Sequence, residues 1–177
     1  MNFSEHCYLC DNIKTSLDKG ITCKLSNEKP NFELTCSKIS FNEKLQYRLE
    51  KVNLEYKMAL NNRKSTLFKF YLFITLGIIL LFIGLIFTSF LITLYFSFFC
   101  IGGGISILSA SFFLLKNFRR KLKISKKEKK DLDKLIELYD MRYDINISFG
   151  KNIHGLKEAK IDLILDNKKS NKTYVIS

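Results

Sequence analysis

The sequence predicts a mainly α membrane protein. It reads as a two-helix transmembrane hairpin with helical extensions, a small cysteine-bearing N-terminal module and a small C-terminal β element. Three observations predict it. No charged residue occurs from Phe70 to Leu115, a run of 46 residues in a chain of 177. Basic residues crowd both ends of that run. Four of the five cysteines fall within the first 36 residues. The uncharged run excludes a single soluble globular domain. An aromatic content of 14% with one proline excludes a largely disordered chain.

A spanning helix needs about 20 apolar residues to cross a hydrocarbon core of about 30 Å. The uncharged run is too long for one span and fits two, at about 70–87 and 92–115, with a turn beginning at Thr88 and Ser89. The N-terminus, Met1 to Cys7, lacks the basic and apolar regions of a signal peptide. Arg63, Lys64 and Lys69 precede the first span; Lys116, Arg119, Arg120, Lys121 and Lys123 follow the second. Basic flanks stay in the cytoplasm, so both termini are expected there, with the chain in the inner (cytoplasmic) membrane. Within the spans there is no Asp, Glu, Lys, Arg or His. Ion pathways and proton relays use such groups, which counts against a transporter or pump. Gly102, Ser106 and Ala110 form a small-residue face on the second span, and Gly77 and Gly84 lie seven apart on the first. Such faces let helix backbones approach closely. The face is expected to pack the hairpin internally, with self-association between protomers as the alternative.

The N-terminal cysteines, Cys7, Cys10, Cys23 and Cys36, have the spacing C-x2-C-x12-C-x12-C. Cys7 and Cys10 form the knuckle that grips one side of a tetrahedral metal. Cytoplasmic thiols stay reduced, which makes metal binding the natural use of four local cysteines. The segment carries few apolar residues, and a fold this small generally needs a metal or disulfides. The expected cofactor is a structural Zn2+ held by Cys7, Cys10, Cys23 and Cys36, with His6 as a further ligand candidate. Disulfides would require the opposite topology; redox-active or scattered free thiols are the remaining reading. Four thiolates leave no open position for catalysis.

The residues Cys7-Tyr8-Leu9-Cys10, Gly20-Ile21-Thr22-Cys23-Lys24-Leu25, Pro30-Asn31-Phe32 and Cys36 carry a resemblance. This run resembles the four-cysteine module of small, uncharacterised bacterial two-span membrane proteins, over about residues 7–36. The resemblance implies a cytoplasmic metal-binding module on a membrane anchor and no activity.

Ser40 with Glu43 reads as a capping box opening a helix. Leu45, Leu49, Val52, Tyr56 and Ala59 then recur at steps of four and three, a heptad seam. Phe118, Leu122, Ser125, Lys129, Leu132, Ile136, Tyr139 and Tyr143 repeat the pattern after the second span, with a polar break at Ser125 and Lys129. Antiparallel spans bring the two seams together. Pairing within one chain is the simpler expectation; pairing between chains, giving a homo-oligomer, is the competitor.

The net charge of +12 is largely juxtamembrane: Lys116–Lys130 holds nine basic residues and one acidic. The expected partner of this run is the lipid bilayer through its anionic headgroups. Nothing supplies base-reading groups, so nucleic acid is not expected as a partner.

In the tail, Tyr143, Ile145, Ile147 and Phe149 alternate with polar residues, as do Ile161, Leu163 and Leu165. These read as strands, with Thr173 to Ile176 as a third. Residues 150–160 read as a loop or short helix, and residues 167–171 as a hairpin turn. Three short strands rarely stand alone. They are expected to dock on a helix, join another protomer or take up a strand from a protein partner through residues 143–177.

The segments are therefore a zinc-stabilised module at 1–40, a helix at 41–69, the hairpin at 70–115, a basic juxtamembrane helix at 116–142 and a β-containing tail at 143–177. No nucleophile–base pair, carboxylate dyad or phosphate-cradling loop is evident. The expected function is non-enzymatic: scaffolding, binding or sensing through cytoplasmic arms. The alternative is an oligomerising effector that permeabilises the bilayer in bacterial defence or stress. A thiol redox sensor is a third reading.

Overall fold

The computed structural model describes residues 3–16, 20–26, 29, 32, 35–41, 43–88, 94–151, 157–166 and 168–176. The chain runs α1 (Phe3–Tyr8), β1 (Ile13–Ser16), β2 (Gly20–Cys23), α2 (Glu43–Phe87), α3 (Leu94–Leu138), β3 (Tyr143–Lys151), β4 (Lys157–Leu165) and β5 (Lys168–Ile176). Two compact units result. One is Met1–Lys57 with Lys126–Ser177; the other is Met58–Ser125. The long helices contribute to both. Most of the expected turn between the spans, Pro30 and Asn31 of the cysteine segment, and the middle of the 150–160 loop lie outside the described residues.

In the unit Met58–Ser125, α2 and α3 each contain a stretch long and apolar enough to cross a membrane. The most apolar 18-residue window is only 11% buried in α2 and 22% in α3. A core helix of a soluble protein would be mostly covered. Here Phe82, Ile86, Phe98, Phe99 and Phe113 are among many large apolar side chains left outward. Lipid solvates such a surface, and a helix satisfies its own backbone in lipid.

The inner face of this helix pair carries buried residues at heptad spacing, all but Phe70 of them small. Phe70, Gly77 and Gly84 are buried on α2, and Ser97, Gly104 and Ser111 on α3. A Cβ added to Gly104 would sit 2.9 Å from the Gly77 carbonyl oxygen and 2.8 Å from Leu81. One added to Gly84 would sit 2.7 Å from Ile101 and 3.1 Å from the Ser97 carbonyl oxygen. Backbone meets backbone there, which only small residues allow. The expectation that Gly102, Ser106 and Ala110 pack the hairpin is thereby corrected. All three are exposed, and a Cβ at Gly102 would meet nothing within 4 Å. Gly102 and Ser106 lie two positions, about 200° around the helix, from Gly104, and Ala110 lies one position, about 100°, from Ser111.

In the other unit, the heptad seams meet as expected. Leu45, Leu49 and Val52 of α2, Leu132 and Ile136 of α3, and Leu163 of β4 form one buried cluster. The seams therefore pair within one chain. Residues β3, β4 and β5 make an antiparallel sheet in the order β3-β4-β5. Its inner face follows the alternation read from the sequence: Ile147, Ala159 and Ile161 are buried and pack with Leu54, Phe149 and Tyr174. Of the three fates foreseen for the strands, docking on a helix is the one observed.

Three local expectations change. The helix does not start from a Ser40 capping box. The Ser40 carbonyl accepts the Asp11 amide at 2.9 Å, Phe41 bridges to Cys10, and the helix begins at Glu43. Lys168 to Asn171 are strand, not turn: Lys168 pairs with Leu165. Asp166, at φ +44°, takes the left-handed conformation that a tight hairpin needs and that Asp tolerates. The loop between β3 and β4 is shorter than foreseen, because β3 runs to Lys151 and β4 starts at Lys157.

The polar break in the seam has a partner. Lys129 Nζ donates to Asn53 Oδ1 at 2.6 Å and to the Tyr143 hydroxyl at 3.0 Å. The Tyr143 hydroxyl donates in turn to Asp133. A second polar cluster fastens β5 to α2. Glu50 is 1% exposed. It accepts from the Tyr174 hydroxyl at 2.6 Å, Lys172 Nζ at 3.1 Å and Gln46 Nε2 at 3.0 Å.

Two predictions follow from these contacts. Gly104→Val overpacks the hairpin and is expected to destabilise it by about 1–3 kcal/mol, whereas Gly102→Val leaves it within error; thermal unfolding of the full chain in mild detergent measures both. The Glu50 cluster gives a pH dependence. Burial pushes the Glu50 carboxyl up, but the hydrogen bonds from Tyr174, Gln46 and Lys172 prevail and hold it below its ordinary value. Its stabilisation is present above the unfolded carboxylate value, about 4.3, and is lost as pH falls through the lower folded value. Burial, then the bond to Glu50, pushes the Tyr174 hydroxyl up to about 12. That contribution is present below about 10, the unfolded tyrosine value, and is lost as pH rises through the folded one. Denaturant titrations across pH should show Glu50→Gln flattening the acid limb and Tyr174→Phe flattening the alkaline limb.

Candidate metal centre

The N-terminal segment folds around short elements that each present one or two cysteines. Cys7 lies in the last turn of α1. Cys10 follows it, its amide bonded to the Cys7 carbonyl at 3.1 Å, and its backbone bridges to Phe41. Cys23 ends β2, opposite Ile13 in the hairpin with β1. Gly20, at φ +71°, begins β2 in a conformation that L side chains rarely adopt. Cys36 opens a turn that the Ile39 amide closes on its carbonyl at 3.2 Å, and its own amide donates to the Tyr139 hydroxyl at 3.2 Å.

These elements bring all four cysteines to the wall of one cavity of about 270 Å³, together with Phe32 and Lys38. All four are free thiols. Burial, followed by the proximity of Cys10, Cys36 and Cys23, pushes the Cys7 thiol up. Cys23 goes the other way. The Leu25 amide does most to hold its thiol below the ordinary value, with the Ser26 amide and hydroxyl and the Lys38 charge adding to it against a burial penalty. Cys10 Sγ also takes an amide, that of Asn12 at 3.4 Å. Amide-to-sulfur bonds of this kind favour thiolates, the form that binds soft metals.

Soft donors and thiolate-stabilising amides fit a tetrahedral thiophilic ion in chemistry. The arrangement does not match that chemistry: among the described residues no group of three or more His, Cys, Asp or Glu side chains is placed to hold a metal ion.

No family model, curated protein or solved structure matches the chain.

His6, the further ligand candidate, does not line the cavity. It is 4% exposed, with Nδ1 3.0 Å from the Tyr139 hydroxyl and its ring against Phe32 and Tyr139. Cys100, the fifth cysteine, is buried between the long helices, its Cβ 3.2 Å from where a Gly84 side chain would start. Two contributors escaped the sequence reading. The turn Cys23-Lys24-Leu25-Ser26 serves Cys23 as a knuckle without a second cysteine, and a hydroxyl residue three positions on is its only trace in sequence. Tyr139 reaches the module from more than one hundred residues away, and its place in the heptad seam concealed that role.

The contrast between the thiols is testable in chelator-treated protein carrying Cys100→Ser. As pH is raised, Cys23 should react with iodoacetamide before Cys7, as read by mass spectrometry of alkylated peptides.

Proposed function

We propose that the chain is a non-enzymatic membrane-anchored protein that binds or senses through a cytoplasmic body carrying a structural Zn2+. The carrying observation is the pair of apolar helices with outward aromatic side chains, flanked by basic residues on one side only. In this reading both termini are cytoplasmic and the inner membrane is the site. Cys7, Cys10, Cys23 and Cys36 would hold the ion, which would supply the closure that a module with so few apolar residues lacks. The convergence of the four thiols on one cavity supports this. The resemblance to small bacterial two-span proteins points the same way.

Anionic headgroups are the proposed partner of Lys116–Lys130. Eight of the nine basic side chains there are exposed, and Lys129 alone turns inward to Asn53 and Tyr143. Each exposed one near the surface would add about 1 kcal/mol of attraction. A protein partner is proposed at the residue 143–177 sheet, where β5 is an edge strand.

A second reading has a specific observation in its favour. The stripe Gly102, Ser106, Ala110 faces outward rather than into the hairpin, which suits a helix-to-helix contact between protomers in an oligomerising effector. Overexpression separates the two. An effector is toxic and Ser106→Leu relieves the toxicity; an anchor with a binding body is harmless.

The main reading is checked by purifying the full chain in mild detergent, with metal analysis, and by labelling intact cells with an impermeant thiol reagent. One zinc per chain and no reaction at Cys7 until the membrane is permeabilised are expected. Labelling of Cys7 from outside would reverse the topology and remove the reducing compartment on which the metal argument depends.

A further inference from the structure

The cations of this chain are unequally served. Toward the body, Arg48 meets Glu128 at 3.9 Å, Lys129 meets Asp133 at 3.6 Å and Lys172 meets Glu50 at 3.1 Å. From Tyr56 through Lys127 the sequence holds no acidic residue. Arg63, Lys64 and Lys69 on α2 and Lys116, Arg119 and Arg120 on α3 fall in that stretch. All six are exposed, and among the described residues none of them takes part in an ion pair.

Packing sets their level. The rings of Phe70 and Phe112 meet edge-on with centres 5.8 Å apart, and a side chain at Gly84 would run into Ser97 and Ile101. These contacts fix an antiparallel register between α2 and α3 within the unit Met58–Ser125. Two turns toward the body from the phenylalanine pair, about 10 Å along each helix, that register places Arg63 level with Arg119. Lys64 and Arg120 adjoin them, and Lys69 and Lys116 lie nearer the apolar stretch. Arg63 also continues the seven-residue row of Gly84, Gly77 and Phe70; those three are buried and Arg63 is exposed. The row that closes the helix pair thus ends on an arginine, level with an arginine of the facing helix. The headgroup layer adds roughly 5–7 Å on each side of the hydrocarbon core, and long basic side chains extend along their stems to meet it. Like charges at one level of two packed helices repel, the more so beside a low dielectric. An anion between them removes the repulsion.

We propose that Arg63, Lys64, Arg119 and Arg120, with Lys69 and Lys116 beneath them, form a two-helix site for one lipid headgroup carrying two phosphates. The proposal rests on the membrane-spanning reading and narrows its headgroup partnership from a general attraction to a site. Arginine presents a planar fork of donors that matches two phosphate oxygens, whereas lysine acts as a point charge. Two phosphates joined in one headgroup engage both helices while only one molecule is ordered. Basic pockets between spanning helices on the cytoplasmic side suit such headgroups. Diffuse attraction is the competing account. It counts charges and is indifferent to which kind of cation carries them.

The test is native mass spectrometry of the full chain in mild detergent, titrated with diphosphatidylglycerol or with phosphatidylglycerol. Wild type should retain one diphosphatidylglycerol per chain, about tenfold more tightly than phosphatidylglycerol, and excess inorganic phosphate should not displace it. Arg63→Lys with Arg119→Lys keeps every charge and should lose about tenfold of that affinity. Both arginines are exposed, so this variant should unfold at the wild-type temperature. Lys126 and Lys127 belong to the other unit. They begin about 16 Å past Leu115, beyond the screening length of physiological salt, so Lys126→Gln with Lys127→Gln should leave the affinity within about twofold. Equal affinity for the two lipids per phosphate, or binding that the arginine-to-lysine pair leaves unchanged, overturns the site in favour of diffuse attraction. Displacement by inorganic phosphate overturns the lipid as its occupant. A chain that stays soluble and monodisperse after detergent is withdrawn would sink the membrane reading itself, and the site with it.

Discussion

A polypeptide in hydrocarbon has no water to satisfy its amides and carbonyls, and 46 residues without a charge leave this chain few alternatives to a pair of helices. Most of the architecture descends from that constraint. The helices run on in both directions, since nothing between Glu43 and Phe87 or between Leu94 and Leu138 interrupts them. Outside the apolar stretch, the surface of each helix changes from an outward apolar coat to a narrow seam. The seam then gathers the remaining elements: Leu163 from the sheet joins Leu45, Leu49 and Val52 in one cluster, and Leu9 and Phe41 lie against it.

Periodicity made much of this legible. The seams on both helices and the alternation in β3 and β4 depend on residues close in sequence, and the structure follows them. The internal face of the hairpin was misread for a definite reason. Helix α3 carries two stripes of small residues, Gly102–Ser106–Ala110 and Ser97–Gly104–Ser111, and its own sequence does not rank them. The seven-residue interval between Gly77 and Gly84 ranks them, because it matches the interval between Ser97 and Gly104. The selection thus lies in a comparison of two helices. The β5 start was misread because Lys168, Lys169, Ser170 and Asn171 are polar, as turns usually are. An edge strand with a hydrated face is polar too.

The cysteine site divides along the same line. That four cysteines of the N-terminal segment belong together was legible from spacing, and one cavity wall collects them. The features that frame them were not, because they come from distant or atypical places: Tyr139 across the fold, the Leu25 and Ser26 amides in a turn without a second cysteine, and Phe41 in a bridge to Cys10. The thiols also differ among themselves. Cys23 sits where amides and Lys38 favour its anion, while Cys7 sits where burial and other sulfurs oppose it. A dication would reverse the second effect, since mutual repulsion among thiolates becomes shared attraction to one charge. Ionisation of Cys7 is therefore opposed beside bare thiols and would be favoured beside a cation.

The polar groups at the helix–sheet boundary serve a different purpose from the apolar ones. Leu45, Leu49 and Val52 supply burial but little direction, since a leucine–valine seam tolerates sliding by a heptad. Glu50 does not tolerate it. At 1% exposure its carboxylate is costly to leave unpaired, and its partners Tyr174 and Lys172 sit on alternate positions of one strand. A slip of one residue in β5 would turn both partners to the opposite face. Asn53 acts likewise toward Lys129 on α3. Buried polar groups held in this way add little net stability when compared with apolar replacements. Their effect is to make incorrect registers expensive. In a body assembled from both ends of the chain, with the three-stranded sheet following both helices in sequence, that discrimination matters more than a further increment of burial.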